Sequence, residues 1–306
     1  MGAAAASRSA TTSPRRRRAG GSSLSRALPG SPAAHGGDEA MCELFAMMSR
    51  FPTRVTFSFQ AFTRRGGADG PHRDGWGVAF HDGVDALVVR ETTPACDSRH
   101  AAFLAERGHP APIAVSHVRL ATQGDVRLAN TQPFQRELGG RVHLFAHNGH
   151  VPGVEQDPRF WFERHQPLGT TDSERVFCAL LERLAAVYRD GVLPDIGRRL
   201  EVVTELASQM AEHGPANFIY TDGDAVFAHA DRRTQDNGAI EPPGLFVLER
   251  RCPVDHDALE GVELGSPPDH DGQQLVLVAS RPLSDEAWEP LDRGTVLTIR
   301  EGARLG

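Results

Sequence analysis

From residue 42 onward the chain alternates short apolar runs with Gly- and Pro-rich breaks, and this spacing constrains the fold more than any total does. The runs at 42–48, 76–80, 86–90, 113–119 and 141–147 have strand length, as do those at 217–221, 225–230, 244–249, 275–280 and 295–300. Between the two sets lie two helical patterns. Over 173–189, Val176, Phe177, Leu180, Leu181, Leu184, Val187 and Tyr188 share one face, behind Thr171-Asp172-Ser173 as a cap region. Over 195–212, Ile196, Leu200, Val203, Leu206 and Met210 do the same. Strands, then helices, then strands predict an α+β layered domain rather than a doubly wound one. Neither a GxxxxGK[ST] string nor a strand-linked GxGxxG occurs, so no nucleotide site is expected.

The material before residue 42 is different. Residues 1–40 are mostly Ala, Ser, Gly, Pro and Arg, with Arg15 to Arg18 in a row and hardly an apolar run. Such a stretch cannot bury enough surface to offset its ordering entropy, so 1–40 reads as a disordered extension and 42–306 as the domain. An Arg- and Ser-rich, acid-poor tail also fits an organelle transit peptide. The formal charge is −7 although the tail is basic, so the body is more acidic still. That argues against a nucleic-acid partner, whose footprint is positive. No apolar run approaches the roughly 18 residues that span a bilayer, so no membrane association is expected. The four cysteines, Cys42, Cys96, Cys178 and Cys252, are widely spaced and form no CxxC pair. Neither a zinc ribbon nor a disulfide scaffold fits, and a reducing cytoplasm is the expected setting.

Beside Cys42, four stretches carry chemistry: Asp74-Gly75-Trp76-Gly77, "SHVRLATQG" at 116–124, "HNG" at 147–149 and "TTDSE" at 170–174. Singly, each has a plain structural explanation. The first could be a turn, Arg119 a surface ion-pair member, Asn148-Gly149 a hairpin turn and Asp172 a helix cap. As a set they supply what a receptor for glutamine needs. A guanidinium fork grips the carboxylate (Arg119), and a carboxylate holds the ammonium (Asp172). An amide beside an unhindered backbone N–H faces the oxygen that becomes negative (Asn148, Gly149), and a thiol attacks (Cys42). His143, His147 and His150 crowd one segment, but no carboxylate stands at ligand spacing. No metal and no cofactor is expected. Cys96, Cys178 and Cys252 read as packing or loop residues.

The stretches "MCELFAMM", "FSFQAFTRRGGADGPHRDGWGVAF", "SHVRLATQG", "NTQPFQRELGGRVHLFAHNG", "TTDSERVFC" and, more thinly, "LVASRPLSDEAWEPL" together resemble the class II glutamine amidotransferases. Within them the chain is most similar to the stand-alone YafJ-like proteins, over essentially all of 41–306. The resemblance implies the four-layer αββα sandwich of N-terminal nucleophile hydrolases. It implies Cys42 as nucleophile, Arg119 as carboxylate clamp, Thr122 as a supporting polar contact, Asn148 and Gly149 as oxyanion hole and Asp172 as ammonium partner. Three positions depart from the wider class: Leu120 and Gln123 replace a common Trp and His, and Gln132 in "NTQPF" replaces a usual His. Gln132 is expected to keep one hydrogen bond, with a changed leaving-group side.

In that family the α-amino group of a terminal Cys is the general base. Cys42 is internal as written, so either Met41 is the true start, with 1–40 a misassigned beginning, or a propeptide is cut at Met41–Cys42. The expected substrate is glutamine or a γ-glutamyl amide, with a separate synthase as a possible acceptor of ammonia. The alternative is a catalytically silent binding module whose Cys42 is blocked by the extension.

Overall fold

The apolar run that starts the domain forms one long strand, Glu43–Val55. It outlasts the expected 42–48 because its pairing register shifts between Met48 and Thr53, which lets Phe51-Pro52 pass without ending the strand. This is a computed structural model that describes residues 42–121, 124–188, 191–252, 262–264 and 272–306. All of these lie in the unit Asp38–Gly306. The extension 1–40 and Thr122 fall outside the described residues.

The strand Glu43–Val55 sits inside an antiparallel sheet between Gln273–Ala279 and Ala111–Val118. Beyond these the sheet continues to Phe246–Cys252 and Glu289–Pro290 on one side, and to Trp76–Asp82 and Asp85–Glu91 on the other. A second sheet runs Ala303–Leu305, Val296–Arg300, Val226–His229, Ala216–Thr221, Arg141–Gly149, Phe134–Leu138.

Period-two alternation then sets the layers. Leu44, Ala46 and Met48 point inward with Val276 and Val278 and meet Ala146, Ile219 and Ala228 of the second sheet. Phe45 and Met47 point the other way, onto Phe59 and Phe62 of α1 (Phe57–Arg65) and Leu104 of α2 (Arg99–Arg107). Phe145, Phe218 and Tyr220 pack outward on α3 (Asp172–Ala185) and α4 (Ile196–His213). The order is helix, sheet, sheet, helix, which is the expected αββα sandwich.

Details differ from the expectation. α1 and α2 have nine residues each and were not read from periodicity. α3 stops at Ala185 rather than 189, where Val187 and Tyr188 both donate to the Leu184 carbonyl and close a turn. Its cap is Thr171, whose Oγ1 accepts from Glu174 N at 3.3 Å, and Asp172 is the first helical residue rather than the cap. Asn148-Gly149 ends the strand Arg141–Gly149 instead of forming a hairpin turn.

At the far end of the second sheet, Arg199 of α4 is buried against Asp222 (2.6 Å) and Asp224 (2.7 Å), with Tyr188 OH also on Asp222. Asp222 sits just past Thr221, which pairs with Leu144, whereas Asn148 pairs with Asn217 at the other end. Removing Asp222 leaves Arg199 with Asp224 alone and the Tyr188 hydroxyl without its acceptor, so Asp222→Ala should lower stability by about 1–3 kcal/mol in denaturant melts. Its chemistry at the opposite end should be unchanged per folded molecule.

Candidate active site

Three strand ends and one helix start converge at one end of the sandwich. Glu43 pairs with Val118, so Cys42 comes level with the segment that follows Val118, beginning at Arg119. Among the described residues the thiol hydrogen-bonds only to backbone there: Sγ donates to Leu120 O at 3.3 Å and accepts from Leu120 N at 3.3 Å. Burial pushes its pKa up to about 11, against the opposing pull of the Leu120 contact and the Arg119 charge. The thiol is therefore protonated at neutral pH and needs a base to become a nucleophile.

Asp74-Gly75 shapes the segment that cradles the thiol. Asp74 N donates to Arg119 O (3.1 Å), Arg119 N donates to Gly75 O (2.8 Å), and Asp74 Oδ2 accepts from Ala121 N (2.7 Å). Leu120 is thus clamped on both sides, with its N–H and C=O aimed at sulfur. Gly75 has φ +121, and a Cβ there would lie 2.7 Å from the Glu91 carbonyl, so only glycine serves. The string read as a turn is a bracket for the thiol's contact loop.

Arg119 is buried, which lowers its pKa from the usual guanidinium range, against the opposing pull of Cys42 and Asp74. It donates to the carbonyls of Gly124 (3.1 Å) and Asp125 (3.3 Å). Fully buried Asn130 joins this loop to the one before α3. Its Nδ2 donates to Asp125 O (2.9 Å), and its Oδ1 accepts from Thr170 N (2.8 Å). The Arg119 and Asp172 segments are therefore fastened to each other.

Asp172 Oδ2 accepts from Val151 N (2.8 Å) and from half-exposed His150 (3.2 Å), and Oδ1 from Ser173 N (2.8 Å). Burial works against the charge, but neighbouring His147, these N–H groups and His150 outweigh it, so the pKa is lowered and Asp172 is ionised at neutral pH. His147 Nδ1 meets Ser173 Oγ at 2.9 Å. His143 instead bonds Tyr220 OH and Leu138 O, away from this end, so the three histidines do not converge.

Asn148 is buried between the sheets, its Nδ2 3.2 Å from Ser280 Oγ. Beside it, a Cβ on Gly149 would overlap the Pro215 carbonyl and lie 2.6 Å from His147 Nε2, so this position too requires glycine. Gln132 makes two hydrogen bonds, not the one expected. It accepts from His147 N (2.6 Å) and donates to His147 O (3.2 Å), clamping the peptide just before Asn148. Gln132 thus shapes the Asn148 turn-out rather than only lining a pocket wall.

Arg119, Asp172, Asn148, Gly149 and Cys42 gather at this end; Thr122 lies outside the described residues. Asp74 was named with its stretch but given no role, and Asn130 and Ser280 were given none either, since the partner of each lies tens of residues or more away in sequence.

Residues 41–306 match the class-II glutamine amidotransferases. The chain is 31% identical to YafJ of Escherichia coli over 255 residues, covering 83% of this chain and 95% of that one. It is 30% identical over 274 residues to a protein of Haemophilus influenzae, covering 87% of each. Both relatives are provisionally named as glutamine amidotransferases. A 2.0 Å crystal structure from Pseudomonas aeruginosa, assigned to the same group by prediction, superposes with TM-score 0.61 at 27% identity, covering 87% of this chain and all of that one. Glutamine phosphoribosylpyrophosphate amidotransferase from B. subtilis shares the fold, with TM-score 0.52 at 15% identity over 86% of this chain and 48% of its own. The sandwich is that of the N-terminal nucleophile amidotransferases. A match over the whole described domain, and relatives of like length at about this identity, make the chain a member of the class II glutamine amidotransferases.

Proposed function

We propose that this protein hydrolyses the side-chain amide of glutamine or a related γ-glutamyl amide, with Cys42 as both N-terminal residue and nucleophile. The observation that carries the reading is the seat of Cys42 Sγ against Leu120, one residue past Arg119. The α-amino group of Cys42 takes the thiol proton, and sulfur attacks the amide carbon. The carbonyl oxygen becomes negative against Asn148 Nδ2 and the Gly149 N–H. Collapse of that intermediate breaks the C–N bond, and the proton held by the amino group leaves with the amine as ammonia. Water, deprotonated by the same amino group, then cleaves the thioester and frees the acid.

Arg119 binds the α-carboxylate of the substrate, and Asp172 its ammonium. His150, half exposed on Asp172 Oδ2, is the partner an incoming ammonium would displace. Thr122 is assigned a supporting contact. An ammonia acceptor would be a separate protein, and the reduced thiol suits the cytoplasm. No helix among the described residues is long and apolar enough to cross a membrane.

Arg119→Ala or Asp172→Ala removes a charge-assisted contact worth about 1.5–3 kcal/mol. For either variant kcat/KM with glutamine should fall by tens to hundreds, mainly through KM. Screening glutamine against γ-glutamyl amides with both variants tests the assignment. Normal kinetics in both would remove the γ-glutamyl head from this end of the sandwich. Because Asp172 also ties Val151 to α3, its variant needs a parallel thermal melt.

A further inference from the structure

Ser280 follows the strand Gln273–Ala279 and is almost wholly buried. Its backbone N donates to Leu44 O at 3.0 Å, and its Oγ accepts from Leu44 N at 3.0 Å. The same Oγ lies 3.2 Å from Asn148 Nδ2 on the opposite sheet. One hydroxyl therefore touches the nucleophile's strand, two residues past Cys42, and the amide assigned to the oxyanion.

The two ends of that amide are not equally served. Asn148 Oδ1 is buried and has no hydrogen-bond partner among the described residues. Ser280 Oγ, anchored as an acceptor by Leu44 N, still has its own proton to give. Among the described residues that proton has no other acceptor. A half turn of the carboxamide brings Oδ1 onto the hydroxyl proton, satisfies both buried groups and frees Nδ2 with its two donors. An aliphatic side chain at 280 could not choose between the two orientations. A hydroxyl fixed by Leu44 can, because its proton satisfies the buried Oδ1 in one orientation, and the other leaves Oδ1 without a partner.

We propose that Ser280 is a positioning residue that sets the orientation of the Asn148 amide. Its hydroxyl donates to Asn148 Oδ1 during turnover and so presents Nδ2 to the developing negative oxygen. The hydroxyl touches no reacting atom and acts only through Asn148. The inference rests on the assignment of Cys42 and Asn148 made above.

The test uses protein beginning at Cys42, since the described cores run from Leu44 to Ile299 and lie wholly within it. With glutamine, Ser280→Ala should lower kcat about tenfold or more, with KM within about threefold of wild type, because the oxyanion exists only on the way to the intermediate. Asn148→Ala should lower kcat by about 10²–10³. The double variant should be no slower than Asn148→Ala alone, within about threefold, since a residue acting through a missing amide has nothing left to act on. The alkylation rate of Cys42 by iodoacetamide builds no oxyanion and should be unchanged in Ser280→Ala. Ser280→Thr, which keeps the hydroxyl, should regain most of the lost kcat.

Wild-type kcat in Ser280→Ala, or losses that multiply in the double variant, would overturn the proposal. So would a Ser280→Thr variant that melts like wild type and is as slow as Ser280→Ala. A normal kcat in Asn148→Ala is a separate failure, because it removes the oxyanion assignment itself.

Discussion

A chain beginning at residue 42 with Cys42→Ala should release ammonia from glutamine at less than about a thousandth of the wild-type rate, with an unchanged melting curve. The loss is large because, in the mechanism proposed above, the thiol supplies the covalent route. What survives in enzymes stripped of the nucleophile is the modest acceleration from binding and oxyanion contacts. The fold should be indifferent, because among the described residues Sγ hydrogen-bonds only to Leu120, and Cys42 belongs to none of the apolar cores. Cys42→Ser keeps both Leu120 contacts but offers a poorer nucleophile, so it should fall between the two. Direct ammonia assays on purified protein, paired with circular dichroism, check this. A Cys42→Ala protein retaining a few per cent of wild-type turnover would take Cys42 out of the mechanism.

The second large effect concerns the base. With the Cys42 thiol pushed up to about 11, very little thiolate exists at pH 7, and the neighbouring Arg119 charge does not offset burial. An α-amino group titrates at roughly 7.7–8.0, so a free N-terminus on Cys42 offers a neutral amine in useful amount. In the 306-residue chain residue 42 is joined to Met41 by an amide, which is not basic. That form should therefore work near background, and the Cys42 form should work fully. For the Cys42 form kcat/KM should climb as pH rises through about 7–8 and then level, because the base must lose its proton to accept another. Mass spectrometry has to accompany each assay, as slow cleavage after Met41 would create active protein with time. Equal turnover by verified full-length chain would defeat the amino-group mechanism, and His147 would be the first base to test. A full-length chain that persists in cells and still binds glutamine would instead favour the silent binding module.

The longer strands and both long helices were legible because apolar periodicity is local, whereas Phe134–Leu138, Glu289–Pro290 and Ala303–Leu305 were not read as strands. Phe45 and Met47 alternate with Leu44 and Ala46, and α3 and α4 show an apolar stripe. α1 and α2 were not, since nine residues hold too few repeats to separate a helix from a loop. Phe51-Pro52 looked like an end because a bulge is visible only when the partner strand is known. At the site, Cys42, Arg119, Asn148, Gly149 and Asp172 were named as a set because their chemistry is complementary. Asn130 and Ser280 stand in strings that carry the resemblance, but their contacts lie with Thr170, Leu44 and Asn148, which only the fold brings close. Gln132 was noticed for what it replaces, and its grip on the His147 peptide came from the structure.

The thiol and its oxyanion donor, as assigned, ride on different sheets, and the layer between them is built from aliphatic side chains such as Leu44, Met48, Ile219, Val276 and Val278, with Ala46, Ala146, Ala228 and Ala230 set among them. Such a seam is close-packed, and close-packed interiors transmit displacement rather than absorb it. The distance over which sulfur and amide must cooperate is then governed by the thickness of a greasy seam, not by any polar group beside the substrate. Evolution or design could tune the rate of such a centre from that seam, methyl group by methyl group, without touching a residue that meets the ligand.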